Sequence, residues 1–176
     1  MRLKVEQIEQ FEEKGYLIAE GALEDSDLEP VIEEYEAHID RQARELLAAG
    51  KISELHEEAP FEKRLALISS ECKEIYPGLD IMHLRGKATF EFLANENLID
   101  LVEGIVGPEI TCSPIHHIRA KLPSGLTPAG GDAHVVPWHQ DAGVTWAEAD
   151  PHFILTVWLA LSQARPENGC LQIIPR

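Results

Sequence analysis

The sequence predicts an α+β fold, in which a helical front half feeds a β-rich back half. Three observations carry that prediction. Between Leu28 and Leu46 apolar residues recur at three- and four-residue steps, the period of a helix with one buried face. After Pro108 the pattern changes to loose alternation and to runs of β-branched and aromatic residues, as strands require. Gly and Pro punctuate the segments at Gly15, Gly50, Gly107-Pro108 and the stretch 123–131. A length of 176 residues fits a single domain over residues 1–176, helical over about 1–108 and β-rich over about 109–176.

Each element follows from local pattern. Gln7 to Lys14 reads as a short helix ended by Gly15, which suits a left-handed cap, and Tyr16 to Ala19 reads as a strand. Leu28, Ile32, Tyr35, Ile39, Ala43 and Leu46 form the stripe of a long amphipathic helix that Gly50 ends. Glu29, Glu33, Glu34, Glu36, Asp40 and Arg41 fill its other faces, so a helix packed on the outside of a sheet is expected. A second helix runs from about Phe61 to Ile75 and ends before Pro77. A third, Leu98 to Val106, is closed by Gly107-Pro108 and presents Leu98, Leu101, Val102 and Ile105 on one side. Ile110 to Leu122 alternates like a strand, Pro123 to Gly131 is a loop, and Ile154 to Leu161 and Gly169 to Ile174 read as strands. Asn168-Gly169 is the turn ahead of the last strand, because this dipeptide tolerates positive φ.

Charge narrows the partners. Asp and Glu number 31 against 15 Lys and Arg, a formal charge of −16. Such a surface repels phosphate backbones and anionic headgroups, which argues against nucleic acid and membrane partners, and among small-molecule substrates it offers no basic patch for a polyanionic acyl-CoA. The amino terminus lacks the apolar stretch of a signal peptide, and no apolar run reaches membrane-spanning length. Cys72, Cys112 and Cys170 are isolated and odd in number, as reduced thiols of a cytoplasmic protein would be.

The chemistry concentrates in Pro137-Trp138-His139-Gln140-Asp141. On extended backbone His139 and Asp141 point to the same side, so an imidazole nitrogen and a carboxylate oxygen converge on one metal ion. The same spacing also describes a hydrogen-bonded surface pair. Downstream stand Thr156-Val157-Trp158-Leu159-Ala160-Leu161 and then Glu167-Asn168-Gly169-Cys170-Leu171-Gln172-Ile173-Ile174-Pro175. This ordered set resembles the phytanoyl-CoA dioxygenase family, most strongly from about Ile115 to Arg176.

The resemblance implies a double-stranded β-helix of the jelly-roll or cupin-like kind, here partial. The back half offers about four or five strand patterns against the roughly eight of such a core. It implies Fe(II) held by His139, Asp141 and a second His, with 2-oxoglutarate and O2 taking the remaining coordination positions. It places Trp158 and Thr156 at the 2-oxoglutarate pocket, and Lys121 and His117 on a neighbouring strand whose alternate positions also include Arg119. As core aromatic or solvated bases these residues have a purely structural reading as well. His134 and His152 flank the metal pair in sequence, and His152 reads as a surface or supporting residue. The second His ligand and an Arg for the distal carboxylate are expected beyond the C-terminus, so the 176-residue chain is expected to be an inactive fragment of a hydroxylase. The reading from another class is a non-catalytic relative that acts as a binding or scaffold module. A downstream His and Arg would discriminate the two.

Overall fold

The computed structural model describes residues 2–79, 84, 86–113, 117–123, 136–145, 147–149 and 151–176. Among the described residues five α-helices follow one another in the first part of the chain: α1 Val5–Lys14, α2 Asp25–Ala48, α3 Phe61–Glu71, α4 Lys87–Phe92 and α5 Glu96–Val106. Short 3-10 turns cover Lys73–Leu79, Asp141–Val144, Ala147–Ala149 and Pro166–Asn168.

α1 ends as its sequence requires. Gly15 adopts φ 78°, and its N–H donates to the Phe11 carbonyl at 2.8 Å. α2 begins one turn earlier than its apolar stripe, at Asp25, because the Asp27 carboxylate accepts the Glu24 N–H at 2.8 Å and closes the helix end there. The predicted second helix is two pieces. α3 stops at Glu71, and a 3-10 turn then runs through Pro77, whose missing N–H is better tolerated in so short a turn than in an α-helix interior. α5 is capped by Asn95, whose side chain accepts the Leu98 N–H at 3.0 Å.

The core lies between α2, α3 and the turn that follows α3. Val31, Tyr35, Ile39 and Ala43 of α2 meet Leu65, Ile68, Cys72 and Ile75, with Ile52 and Leu84 completing the cluster. Burying an aliphatic side chain of this size contributes about 1.5–3 kcal/mol. Arg64 is buried within this packing because its guanidinium donates to Asp40 Oδ1 at 2.7 Å and to the Leu55 carbonyl at 3.2 Å. α4, which the sequence pattern did not disclose, packs on α2.

Two expectations are corrected. About half of the described residues are helical, the 3-10 turns included, and no strand occurs among them, so the double-stranded β-helix is not seen. Tyr16–Ala19, the described parts of Ile110–Leu122, Ile154–Leu161 and Gly169–Ile174 carry no ladder. Alternation states which side chains turn toward a core, whereas a strand exists only if a second segment supplies ladder hydrogen bonds. Outside the helices, the backbone bonds among the described residues close turns and caps, apart from Arg176 N–H to the Lys14 carbonyl at 3.1 Å. α2 therefore packs on helices α3 and α4 and not on a sheet.

The alternation is nevertheless used. Ile118, Ala120 and Leu122 pack against the helical core, as does Leu161, and they tie the back half of the chain to the front. At the other end of the segment that holds Leu161, the Phe153 ring meets Phe11 of α1 edge to face, centroids 6.3 Å apart.

Candidate metal centre

The site is built on ten described residues, 136–145, most of them solvent-exposed. Gln140 has φ −109° and ψ 134°, extended backbone between His139 and Asp141. One extended residue is enough to turn its two neighbours to the same side. Asp141 then opens a 3-10 turn, Asp141–Val144, in which the Gly143 N–H donates to the Gln140 carbonyl at 2.9 Å. The sequence's strand geometry is thus realised over a single residue.

Both side chains are oriented. His139 Nε2 lies 3.1 Å from Asp141 Oδ1. The other ring nitrogen, Nδ1, lies 2.7 Å from the Pro137 carbonyl oxygen, which can only accept, so Nδ1 carries a proton and the ring is held with Nε2 on the carboxylate side. The Thr156 hydroxyl donates to the second carboxylate oxygen, Oδ2. Thr156 is brought there from fifteen residues downstream, on a segment whose ends are held by Phe153 against α1 and Leu161 against the core.

The donor set fits a metal ion. Two cis ligands of an octahedral ion, each about 2.1 Å from it, sit about 3 Å apart. His139 Nε2 and Asp141 Oδ1 have that separation. Neutral imidazole with carboxylate suits Fe(II). Among the described residues no group of three or more His, Cys, Asp or Glu side chains converges as a complete ligand set. His134 lies outside the described residues, and His152 is exposed.

The other predicted residues are placed as follows. Trp158 is 47% exposed, which removes its reading as a core aromatic. Ile118, Ala120 and Leu122 face the core, so His117 and Arg119 are left exposed on the other side of their segment. Lys121 is half-buried, its aliphatic stem beside Gly169: a Cβ built there would lie 3.5 Å from Lys121 Cδ. Burial, and then the neighbouring Arg119, push its ammonium below the ordinary lysine range. The predicted turn at Asn168-Gly169 is present. The Asn168 side chain accepts the Arg165 N–H at 2.6 Å and donates to the Gln163 carbonyl at 2.6 Å, and Gly169 has φ 83°.

Sequence reasoning missed two contributions, the Pro137 carbonyl and the Thr156–Asp141 bond. A backbone carbonyl leaves no trace in residue identity, and Thr156 was singled out for a different neighbour. A hollow of about 540 Å³ elsewhere is lined by Leu47 and residues 53–59, with Glu54, Glu57 and Glu58 among them. Its carboxylates would repel an anionic cosubstrate, and it contains none of the predicted site residues.

Comparison with known proteins gives one finding. Residues 11–176 match the sequence model of the family described as Phytanoyl-CoA dioxygenase (PhyH). Neither the curated proteins nor the solved structures gave a match.

Proposed function

From the premise that the chain belongs to the phytanoyl-CoA dioxygenase family, we propose that it serves an Fe(II)- and 2-oxoglutarate-dependent hydroxylation of a small organic or lipid-like substrate. The family is generally dependent on this metal and cosubstrate. The observation that carries the reading is the 3.1 Å spacing of His139 Nε2 and Asp141 Oδ1, which suits two cis positions of one ion.

His139 and Asp141 hold the metal, and the Pro137 carbonyl keeps the imidazole in the tautomer that binds. When bound, Fe(II) supplies the chemistry with O2 that couples decarboxylation of 2-oxoglutarate to succinate with insertion of one oxygen atom into a C–H bond. The segment with Thr156 and Trp158 borders the cosubstrate, with the indole face covering its apolar part. Lys121 and His117 supply donors for its carboxylates. The half-burial of Lys121 supports this role, because a partly desolvated ammonium binds an anion more strongly than one in bulk water.

Titration calorimetry under anaerobic conditions tests the proposal. 2-Oxoglutarate should bind only when Fe(II) is present, and His139→Ala should abolish that binding. Cosubstrate binding that is indifferent to the metal or to His139 would overturn it.

A further inference from the structure

Asp141 has two oxygens, and the structure gives each a different neighbour. Oδ1 faces His139 Nε2 at 3.1 Å, and Oδ2 accepts the Thr156 hydroxyl. We propose that Thr156 is a positioning residue that makes Asp141 a one-oxygen ligand and so keeps a coordination position open for the cosubstrate. The inference rests on the metal-binding reading above.

A carboxylate with both oxygens free can swing to grip an ion with both. With a third protein donor beside His139 and Asp141, three positions of an octahedron would remain, and the bidentate cosubstrate with O2 would need all of them. A hydroxyl hydrogen bond on Oδ2 competes with a second metal bond for that oxygen, and it also holds the carboxylate against rotation. Thr suits the task. Its hydroxyl is a short donor on a stiff, β-branched side chain, so χ1 freedom is small. The backbone that carries it is anchored at both ends, by Phe153 on Phe11 and by Leu161 on the core. Thr156 is exposed, so its side chain adds little to packing.

The test uses Co(II) alone as the probe, titrated into the chain with visible absorption as the readout. The band intensity reports coordination number, which a merely structural role would not move. Thr156→Val, which keeps the shape and removes the donor, should change the Co(II) spectrum as the second oxygen joins the ion and the coordination number rises. Thr156→Ser should keep the wild-type spectrum and affinity within about threefold, since it keeps the donor. Melting temperatures of both variants should match the wild type, and circular dichroism confirms that each is folded. Thr156→Val with an unchanged spectrum, beside a His139→Ala that loses the site, would overturn the role of Thr156 alone. A wild-type chain with no His139-dependent Co(II) site would overturn the metal-binding reading, and this inference with it. Should Thr156→Val not fold, the decision passes to Thr156→Ser, whose loss of the wild-type spectrum would count against the proposal.

Discussion

At the scale of single residues, the site is organised by hydrogen bonds that fix which atom of each side chain is presented. His139 is held through Nδ1 and Asp141 through Oδ2, so Nε2 and Oδ1 are the atoms left to converge. Trp158 follows the same economy, since 47% exposure means that its indole is available to a ligand and contributes little to the core. Trp158→Ala should therefore lower 2-oxoglutarate affinity measurably. Its cost in folding stability should fall well below the roughly 3–5 kcal/mol of a buried aromatic truncation. Calorimetric titration and denaturant unfolding of the same variant separate the two effects. A full core-sized stability loss with unchanged affinity would return Trp158 to a packing role.

At the scale of elements, the acidic face of α2 has structural work that its pattern hides. Glu34 reaches the start of α4, accepting the Ala88 N–H at 2.8 Å, the Thr89 N–H at 3.1 Å and the Thr89 hydroxyl at 2.7 Å. Burial pushes its carboxyl up, and these hydrogen bonds more than reverse that, leaving it below the usual 4.5. Gly86 is needed for space and not for its dihedrals, because a Cβ there would stand 1.9 Å from the Glu34 carboxyl carbon. Glu34→Ala should cost about 2 kcal/mol through the lost cap. Gly86→Ala should destabilise the wild type but much less in the Glu34→Ala background, and a double-mutant cycle measures that coupling. Full additivity would show that the two do not meet. Asp27 does similar work at α5, accepting from Asn95 Nδ2 at 2.8 Å and Asn97 Nδ2 at 2.9 Å.

The α2–α3 contact also carries a pH signature. Hydrogen bonds from Arg64 and then Arg44 hold the Asp40 carboxyl below its ordinary 3.8. A depressed folded value means that the unfolded chain takes up the proton first. The stability gained is fully present above the unfolded value and is lost as the pH falls through 3.8 toward the folded one. Asp40→Asn should therefore be less stable near neutrality and should show a flatter loss of stability on acidification. Melting curves across the acid range check this, and an equally steep limb in the variant would refute it.

At the scale of the whole molecule, helical core and site segment differ in what holds them. α2 and α3 bury Ile39, Ala43 and Ile68 almost completely, whereas Leu171, Ile173 and Ile174 are half-exposed or more. Native-state hydrogen exchange should accordingly find the slowest amides in α2 and α3 and fast exchange over 153–161 and 170–175. Slow exchange across those two segments would reveal ladder bonds that the described residues do not show.

Helix periodicity and the caps at Gly15 and Gly107 were legible because an isolated segment already contains the contacts that decide them. His139-Gln140-Asp141 was legible for the same reason, since a single extended residue aligns its neighbours. Alternation at 117–122 put His117, Arg119 and Lys121 on one side of the segment, and only the structure showed that the other side, Ile118, Ala120 and Leu122, packs on the helical core. Alternation failed as evidence for a sheet, because a ladder depends on a second segment that no local pattern specifies. Only tertiary structure decided that Thr156 meets Asp141, that Glu34 caps α4 and that Arg64 lies buried on Asp40. Each joins residues distant in sequence, and a hydrogen bond of that range is fixed by the packing that brings its donor to its acceptor.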